Sequence, residues 1–133
     1  MLGRVGQLFD LIERKAEELG VAIVAAAVDE HGNTALLMRM KGAPVHSIEM
    51  AARKAFTAIE MRTDTASLTP LMQPGGPMYG LTDATSGRLV GFGGGNVFEV
   101  SPGETIGVAI SGAPTETDIE ILESSLEAIR QVA

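Results

Sequence analysis

The chain has 133 residues, a net charge of −7 and a pI near 4.7, and 45% of its residues are hydrophobic although only 4% are aromatic. This length and composition predict a single domain over residues 1–133 with an aliphatic core. The acidic charge argues against binding to nucleic acid or to an anionic membrane surface, because both need a basic face on the protein.

The chain contains no cysteine, which excludes disulfides, thiolate metal sites and cysteine catalysis. The N-terminus lacks the basic and apolar regions of a signal peptide, and the longest apolar run, residues 21–28, is too short to span a bilayer. We therefore expect a cytoplasmic protein that does not enter the membrane.

The first half of the chain predicts a helix, two strands and a second helix. Apolar residues recur at helical spacing up to Gly20, which is typical of a helix C-cap. The apolar run 21–28 predicts a central strand, and an Asp/Gly/Asn turn leads from it to a second strand over 34–40. Pro44 suits the first turn of the next helix. The predicted buried stripe of that helix has these members: Val45, Ile48, Ala52, Ala55 and Ile59.

The second half predicts a loop, three strands and a final helix. Prolines and glycines make segment 73–79 irregular. Three strands are predicted here: 88–92, 97–100 and 105–110. Thr115 and Asp118 have the spacing of a capping box at the start of the final helix. Because the connections between strands are short, we predict an α+β fold with an antiparallel sheet of about five strands flanked by helices.

Residues 91–95 form a glycine run, Gly-Phe-Gly-Gly-Gly. Such a run permits positive φ angles or the close approach of another group. A phosphate-binding loop would need a helix, and usually a lysine, after the glycines. Here residues 96–100 predict a strand and no lysine follows. The remaining interpretations are a tight bend where another backbone approaches and the wall of a binding groove.

Six short blocks along the chain carry a resemblance to a known family. They are, in order, residues 28–33, 39–43, 54–58, 74–81, 92–95 and 106–118. Together they resemble the GlcG/HbpS family (DUF336) of haem-binding or glycolate-utilisation-associated proteins, and also the C-terminal part of PduO-type proteins from diol-degradation operons. The match in order and spacing extends over nearly the whole chain.

The resemblance implies a profilin-like, five-stranded antiparallel sheet and homo-oligomers that range from dimers to octamers. It also implies haem as a ligand of some members. In the diol-degradation relatives, haem ligation involves the N-terminal helix, which contains no histidine in this sequence.

Side chains eligible as haem ligands are few. Haem iron accepts His, Met or Tyr, so His46, Met78 and Tyr79 are candidates. His31 lies in the predicted hairpin turn, where a solvated histidine is expected. The alternative for His46 is an ordinary surface histidine at a helix start. No His-x-x-x-His or Glu-x-x-His arrangement occurs, so we predict no metal site.

Basic side chains are the other candidates for ligand binding. Arg39, Lys54 and Arg88 are candidates to hold carboxylates of a hydroxy acid or of haem through charge-assisted hydrogen bonds. The alternative for each is a surface ion pair. Asp118 is interpreted as a first-turn acid that is stabilised by the helix dipole.

Our leading hypothesis is a non-enzymatic protein that binds haem, a corrinoid or another small ligand in an oligomeric groove. The predicted groove residues are Arg39, His46, Tyr79, Gly93, Gly94 and Gly95. One alternative is an accessory enzyme or stabilising factor in hydroxy-acid or diol metabolism, with Arg39 or Lys54 holding a carboxylate. Another is a structural oligomer module whose glycines serve subunit packing. No catalytic residue is assigned.

Overall fold

The computed structural model describes residues 1–132. Its helices and strands are, in chain order, α1 (Leu2–Glu18), β1 (Val24–Val28), β2 (Thr34–Arg39), α2 (His46–Met61), α3 (Leu81–Ala84), β3 (Gly95–Ser101), β4 (Glu104–Ser111) and α4 (Thr115–Arg130). Two 3-10 helices, Thr65–Leu68 and Pro70–Met72, lie between α2 and α3. The predicted α+β class is confirmed.

The described residues form one sheet of four antiparallel strands in the order β2-β1-β4-β3. The central strand β1 is buried at all five positions, as the apolar run predicted. Its residues alternate between two cores: Ala25 and Ala27 pack with α1 and α4, whereas Val24, Ala26 and Val28 pack with α2. Helices therefore cover both faces of the sheet.

Small residues bring α2 very close to the sheet. Ala51, Ala55 and Ala58 are fully buried on the helix face that meets the strands. A Cβ atom at Gly107 of β4 would overlap the carbonyl group of Ala55, so that position needs glycine. Helix α2 therefore packs closely on the sheet, and residues of the candidate site project from it.

The buried stripe of α2 differs from the predicted one. Of the predicted members, two are buried, Ala55 and Ile59, and two are half-buried, Ile48 and Ala52. Val45 precedes the helix and is 71% exposed, whereas Ser47 and Lys54 are buried. The helix is thus rotated so that a serine and a lysine face the sheet. A pattern based on apolar residues alone predicts that Ser47 and Lys54 face the solvent.

The prediction of five strands is wrong, because residues 88–92 do not pair with the sheet. The backbone of residues 89–91 instead bonds to threonine hydroxyls, and we call these residues the threonine-held segment. The four hydroxyls and their partners are Thr57 with the N–H of Val90 (3.0 Å), Thr85 with the N–H of Leu89 (3.1 Å), Thr82 with the carbonyl of Leu89 (2.8 Å) and Thr69 with the carbonyl of Gly91 (2.6 Å). Since side chains satisfy these polar groups, the buried segment needs no strand partner.

No helix within residues 1–132 is long and apolar enough to cross a membrane.

Candidate functional site

Two adjoining cavities lie along residues 72–92, and one of them is also lined by α2. The tyrosine cavity, of about 350 Å³, is lined by Met72, Tyr79, Thr82, Asp83 and Phe92, among others. The histidine cavity, of about 310 Å³, is lined by His46, Glu49, Met50, Arg53, Thr82 and Phe92, among others. Each volume is at the lower end of the range for small-molecule sites. Because they share Thr82 and Phe92, the two cavities meet at those side chains.

Phe92 is the aromatic residue at this junction. Its side chain is 53% exposed although it is large and apolar. The preceding Gly91 packs on Met72, whose Sδ would lie only 2.8 Å from a Cβ at position 91. Phe92, in the first part of the glycine run, therefore lies at the surface between the two cavities. Its ring is a stacking partner for the flat face of a ligand.

The structure places two predicted site residues in these cavities. His46 is the first residue of α2 and lines the histidine cavity. Tyr79 follows the Pro/Gly-rich loop, lines the tyrosine cavity and is 65% exposed. The chain thus brings an imidazole and a phenol, 33 positions apart, to neighbouring cavities.

Arg39 lies elsewhere. It ends β2, is exposed, and donates a hydrogen bond from Nη1 to the carbonyl oxygen of Ala43 at 3.3 Å. It lines neither of the two cavities. Its predicted role in ligand binding stays a prediction that these cavities do not support.

Gly93, Gly94 and Gly95 are buried and line neither cavity. A Cβ at Gly93 would lie 2.6 Å from Ile119 Cδ1 of α4, and one at Gly95 would lie 2.9 Å from the carbonyl oxygen of Lys54 in α2. Gly94 has a φ of +109°, and its carbonyl accepts a hydrogen bond from the N–H of Ile110 at 2.8 Å. These contacts favour the interpretation of a bend that another backbone approaches closely.

A buried ion pair joins α2 to the start of α4. Lys54 Nζ lies 3.3 Å from Asp118 Oδ2, and the two side chains are 4% and 3% exposed. Lys54 also donates to the carbonyl oxygen of Ile110 at 2.9 Å, and Asp118 Oδ1 accepts from the N–H of Ala113 at 3.2 Å. The predicted capping box is wrong, since Thr115 makes no cap and Asp118 turns to Ala113 and Lys54.

Burial decides the electrostatics of this pair. Removal from water lowers the pKa of Lys54, and the nearby carboxylate of Asp118 only partly opposes that shift. Burial likewise raises the pKa of Asp118, against the opposing attraction of the Lys54 ammonium and the hydrogen bond from Ala113. Because Lys54 is enclosed and paired, it is not free to hold a ligand carboxylate, as one alternative hypothesis required.

The positions of Lys54 and Asp118 in the sequence indicate that the two residues form a buried pair. Lys54 is three residues after Ala51 and four before Ala58, and Asp118 is three and four residues before Ile121 and Leu122. Each charge therefore lies on the apolar stripe of its own helix. Two opposite charges in such positions are candidates for a buried pair.

Arg53 is a site residue that the sequence analysis did not select. Its Nη1 donates to the carbonyl oxygen of Gly87 at 2.6 Å, and its Nη2 forms an ion pair with Glu49 one turn earlier on α2. Only the fold shows that Arg53 lines the histidine cavity beside His46.

Donor atoms for a haem iron are present on both sides of Phe92. His46 lines one cavity, and Tyr79 and the thioether of Met72 line the other. Within residues 1–132, no three His, Asp or Glu side chains converge as ligands for a bare metal ion.

Comparison with known proteins assigns the family. The model of the family "Haem degrading protein HbpS-like" matches residues 3–127. The chain belongs to this HbpS-like family. The resemblance deduced from the sequence blocks is confirmed.

Two curated relatives come from Citrobacter freundii. The corrinoid adenosyltransferase PduO is 40% identical over 115 residues, which are 86% of this chain but 34% of that protein. The 15.0 kDa protein of the dhaT-dhaS intergenic region is 36% identical over 132 residues, which are 98% of this chain and 92% of that protein. This chain therefore matches only about a third of the adenosyltransferase but nearly all of the small protein.

Two solved structures resemble the fold closely. The Klebsiella pneumoniae protein ORFY, of the DUF336 family, has a TM-score of 0.93 and 32% identity, and the match covers 100% of this chain and 92% of that one. The PduOC:heme complex has a TM-score of 0.89 and 34% identity, and the match covers 96% and 93% of the two chains.

Proposed function

We propose that this protein binds haem or a related tetrapyrrole in the adjoining tyrosine and histidine cavities. The observation that carries the proposal is the position of His46 and Tyr79 in cavities that meet at Phe92. Membership of the HbpS-like family and the likeness to the PduOC:heme complex support haem as the ligand.

The side chains around Phe92 fit such a group chemically. Imidazole, phenol and thioether are all axial ligands of haem iron in proteins. A flat macrocycle also needs an apolar face to pack on, and the exposed ring of Phe92 supplies one. His46 or Tyr79 would hold the iron of a bound haem through the imidazole nitrogen or the phenol oxygen.

We infer that the cavities are completed by further subunits. Two large side chains that line the cavities are exposed, Tyr79 (65%) and Phe92 (53%), and so is Val45 (71%), which precedes His46 in the chain. Their burial on association would favour a homo-oligomer. The oligomer and the profilin-like description of the fold are proposals that rest on the family resemblance, and the cytoplasmic location is a proposal that rests on the composition, which includes no cysteine.

Titration with hemin, followed by absorbance, tests the proposal. We expect the Soret band to shift at stoichiometric hemin, and His46→Ala or Tyr79→Phe to alter the shifted spectrum. His31→Ala is the matched control, because His31 lies in the β1–β2 turn with its side chain 77% exposed and lines neither cavity. An unshifted Soret band in the wild-type protein overturns haem binding. Unchanged spectra in both site variants overturn the assigned ligands.

A second candidate is turnover of haem, which the description of the family names. The same titration distinguishes binding from degradation when the complex is incubated in air with a reductant. A stable Soret band supports a binding role. Progressive loss of the band only in the presence of the protein supports degradation.

The alternative of an accessory role in hydroxy-acid or diol metabolism now depends on Arg39. Its exposed guanidinium donates one hydrogen bond, to Ala43, whereas Lys54 is enclosed. Turnover of glycolate-like acids or short diols that is lost in a folded Arg39→Ala variant would favour this alternative over haem binding.

A further inference from the structure

We propose that Arg53 makes the histidine cavity selective for a flat apolar ligand that bears a carboxylate. The inference rests on the proposed function for the identity of the ligand, where the carboxylate would be a propionate of haem. Recognition of the carboxylate itself is inferred from the geometry of Arg53.

Charge singles out Arg53. Among the described residues that line the two cavities, it is the one arginine or lysine, and the tyrosine cavity contributes the carboxylate of Asp83 instead. A ligand carboxylate would therefore meet the carboxylate of Asp83 in the tyrosine cavity, whereas in the histidine cavity it would meet the guanidinium of Arg53, whose present partner is Glu49. The placement of charge orients a ligand that has one polar edge.

The guanidinium is held in place before any ligand arrives. Arg53 Nη1 donates to the Gly87 carbonyl at 2.6 Å, and Nη2 pairs with Glu49. A guanidinium carries five N–H donors in a planar fork, so these two contacts leave donors for a ligand. Its side chain is 36% exposed, which leaves it accessible. A side chain that is already ordered loses less conformational entropy on binding.

The turn that contains Gly87 is built to admit Arg53. Ser86 has a φ of +55° and Gly87 a φ of +82°, so the chain passes through the left-handed region at both residues. A Cβ at Gly87 would overlap the Nη1 atom of Arg53. Glycine at position 87 thus serves the backbone conformation and also makes room for the guanidinium.

Glu49 does not block the site. Its side chain is 70% exposed, and a solvent-exposed ion pair of this kind contributes little free energy. A ligand carboxylate could therefore replace the Glu49 carboxylate on Arg53 while Glu49 turns to water.

The test compares hemin and iron-free protoporphyrin IX, each with its own dimethyl ester, as ligands of the wild-type protein, Arg53→Met and Arg53→Lys. We expect the wild type to bind each free acid about tenfold more tightly than its ester, the factor appropriate to one charge-assisted hydrogen bond. Arg53→Met should lose this preference with or without iron, and Arg53→Lys should retain part of it. Circular dichroism checks that the variants are folded.

Arg88→Met is the matched control, since Arg88 stacks on Phe56 at 4.5 Å from the ring centroid and lines neither cavity. It should keep the preference for the acid. Equal affinity of the wild type for acid and ester, or a preference that survives in Arg53→Met, overturns the role of Arg53 and leaves haem binding intact. Failure of the wild type to bind any of these tetrapyrroles overturns the proposed function and this inference together.

Discussion

Arg53 and Lys54 are consecutive cations on α2 with opposite environments. Arg53 is 36% exposed, lines a cavity and pairs with Glu49 one helical turn away. Lys54 is 4% exposed, lies in the core and pairs with Asp118, which is 64 positions away. One helix therefore uses adjacent positive charges for two purposes: one faces a candidate ligand site, and the other joins α2 to α4.

The difference shows how burial changes the meaning of an ion pair. An exposed pair gains little, because water solvates both charges nearly as well when they are separated. A buried pair has lost that hydration, so each charge depends on its partner. Stability should consequently be sensitive to Lys54 and insensitive to Arg53, whereas ligand binding should show the reverse.

The largest expected effect follows from breaking the buried pair. Lys54→Met or Asp118→Leu alone should lower the free energy of unfolding by about 3–5 kcal/mol, because a charge is left buried without its partner. The double variant should recover much of the loss. Urea denaturation measures all three. Single variants that denature like the wild type would show that the pair is not a structural requirement.

Crowding around Lys54 should produce the next largest effect. In Gly94→Ala the new Cβ would lie 3.0 Å from the carbonyl oxygen of Ile110 and 3.2 Å from Lys54 Nζ, at a φ of +109°. We expect a loss of about 1–3 kcal/mol. Gly75→Ala is the matched control, since its φ of +86° is also positive but nothing lies within 4 Å of the added atom. Equal losses in urea denaturation would mean that backbone strain, not crowding, dominates.

The pH dependence of stability should reveal the cost of burying the pair. The raised pKa of Asp118 stabilises the folded state below the ordinary value of 3.8, and this contribution is lost as the pH rises through the folded-state pKa. The lowered pKa of Lys54 contributes stability above 10.5, which is lost as the pH falls through its folded-state pKa.

Stability relative to the Lys54→Met, Asp118→Leu double variant should therefore be lowest between these limits and rise on acidification toward 3.8. The double variant retains all the other carboxylates, so the difference isolates the pair. Urea denaturation from pH 7 downward measures it, and a difference that falls with acidification would contradict the direction of the Asp118 shift.

The smallest effect on stability is expected for Arg53. Arg53→Met should change the free energy of unfolding by about 1 kcal/mol or less, because its pair with Glu49 is solvent-exposed. Thermal or urea denaturation beside Lys54→Met provides the contrast. A loss as large as that of Lys54→Met would assign Arg53 a structural role through Gly87.

Periodicity predicted much of the fold because most elements follow simple physical rules. The apolar run ending at Val28 became the central strand, and the alanines of α2 allowed close packing. The orientation of α2 was missed because a pattern of apolar residues leaves out Lys54, whose buried charge is satisfied by Asp118 of α4. The strand predicted at 88–92 is absent because the partners of its backbone groups are hydroxyls from other segments.

The candidate site was predictable only in part. Chemistry alone selected His46 and Tyr79 as possible ligands, and the structure places both in adjoining cavities. Arg53 and Phe92 required tertiary structure, since their importance comes from a turn and a junction formed by distant segments. Arg39 was selected for its charge, but a charge in the sequence does not show whether the side chain lies near the cavities.

The threonine-held segment has a consequence for how the cavities open. Its amides bond to hydroxyls instead of to a neighbouring strand, so rotation of a few side chains can release residues 89–91 while every sheet ladder stays intact. Local opening of that kind needs less free energy than global unfolding. The amide protons of Leu89 and Val90 should then exchange with deuterium well before those of β1 and β4. Each exchange event would report a brief opening next to Gly91 and Phe92, through which a ligand could enter.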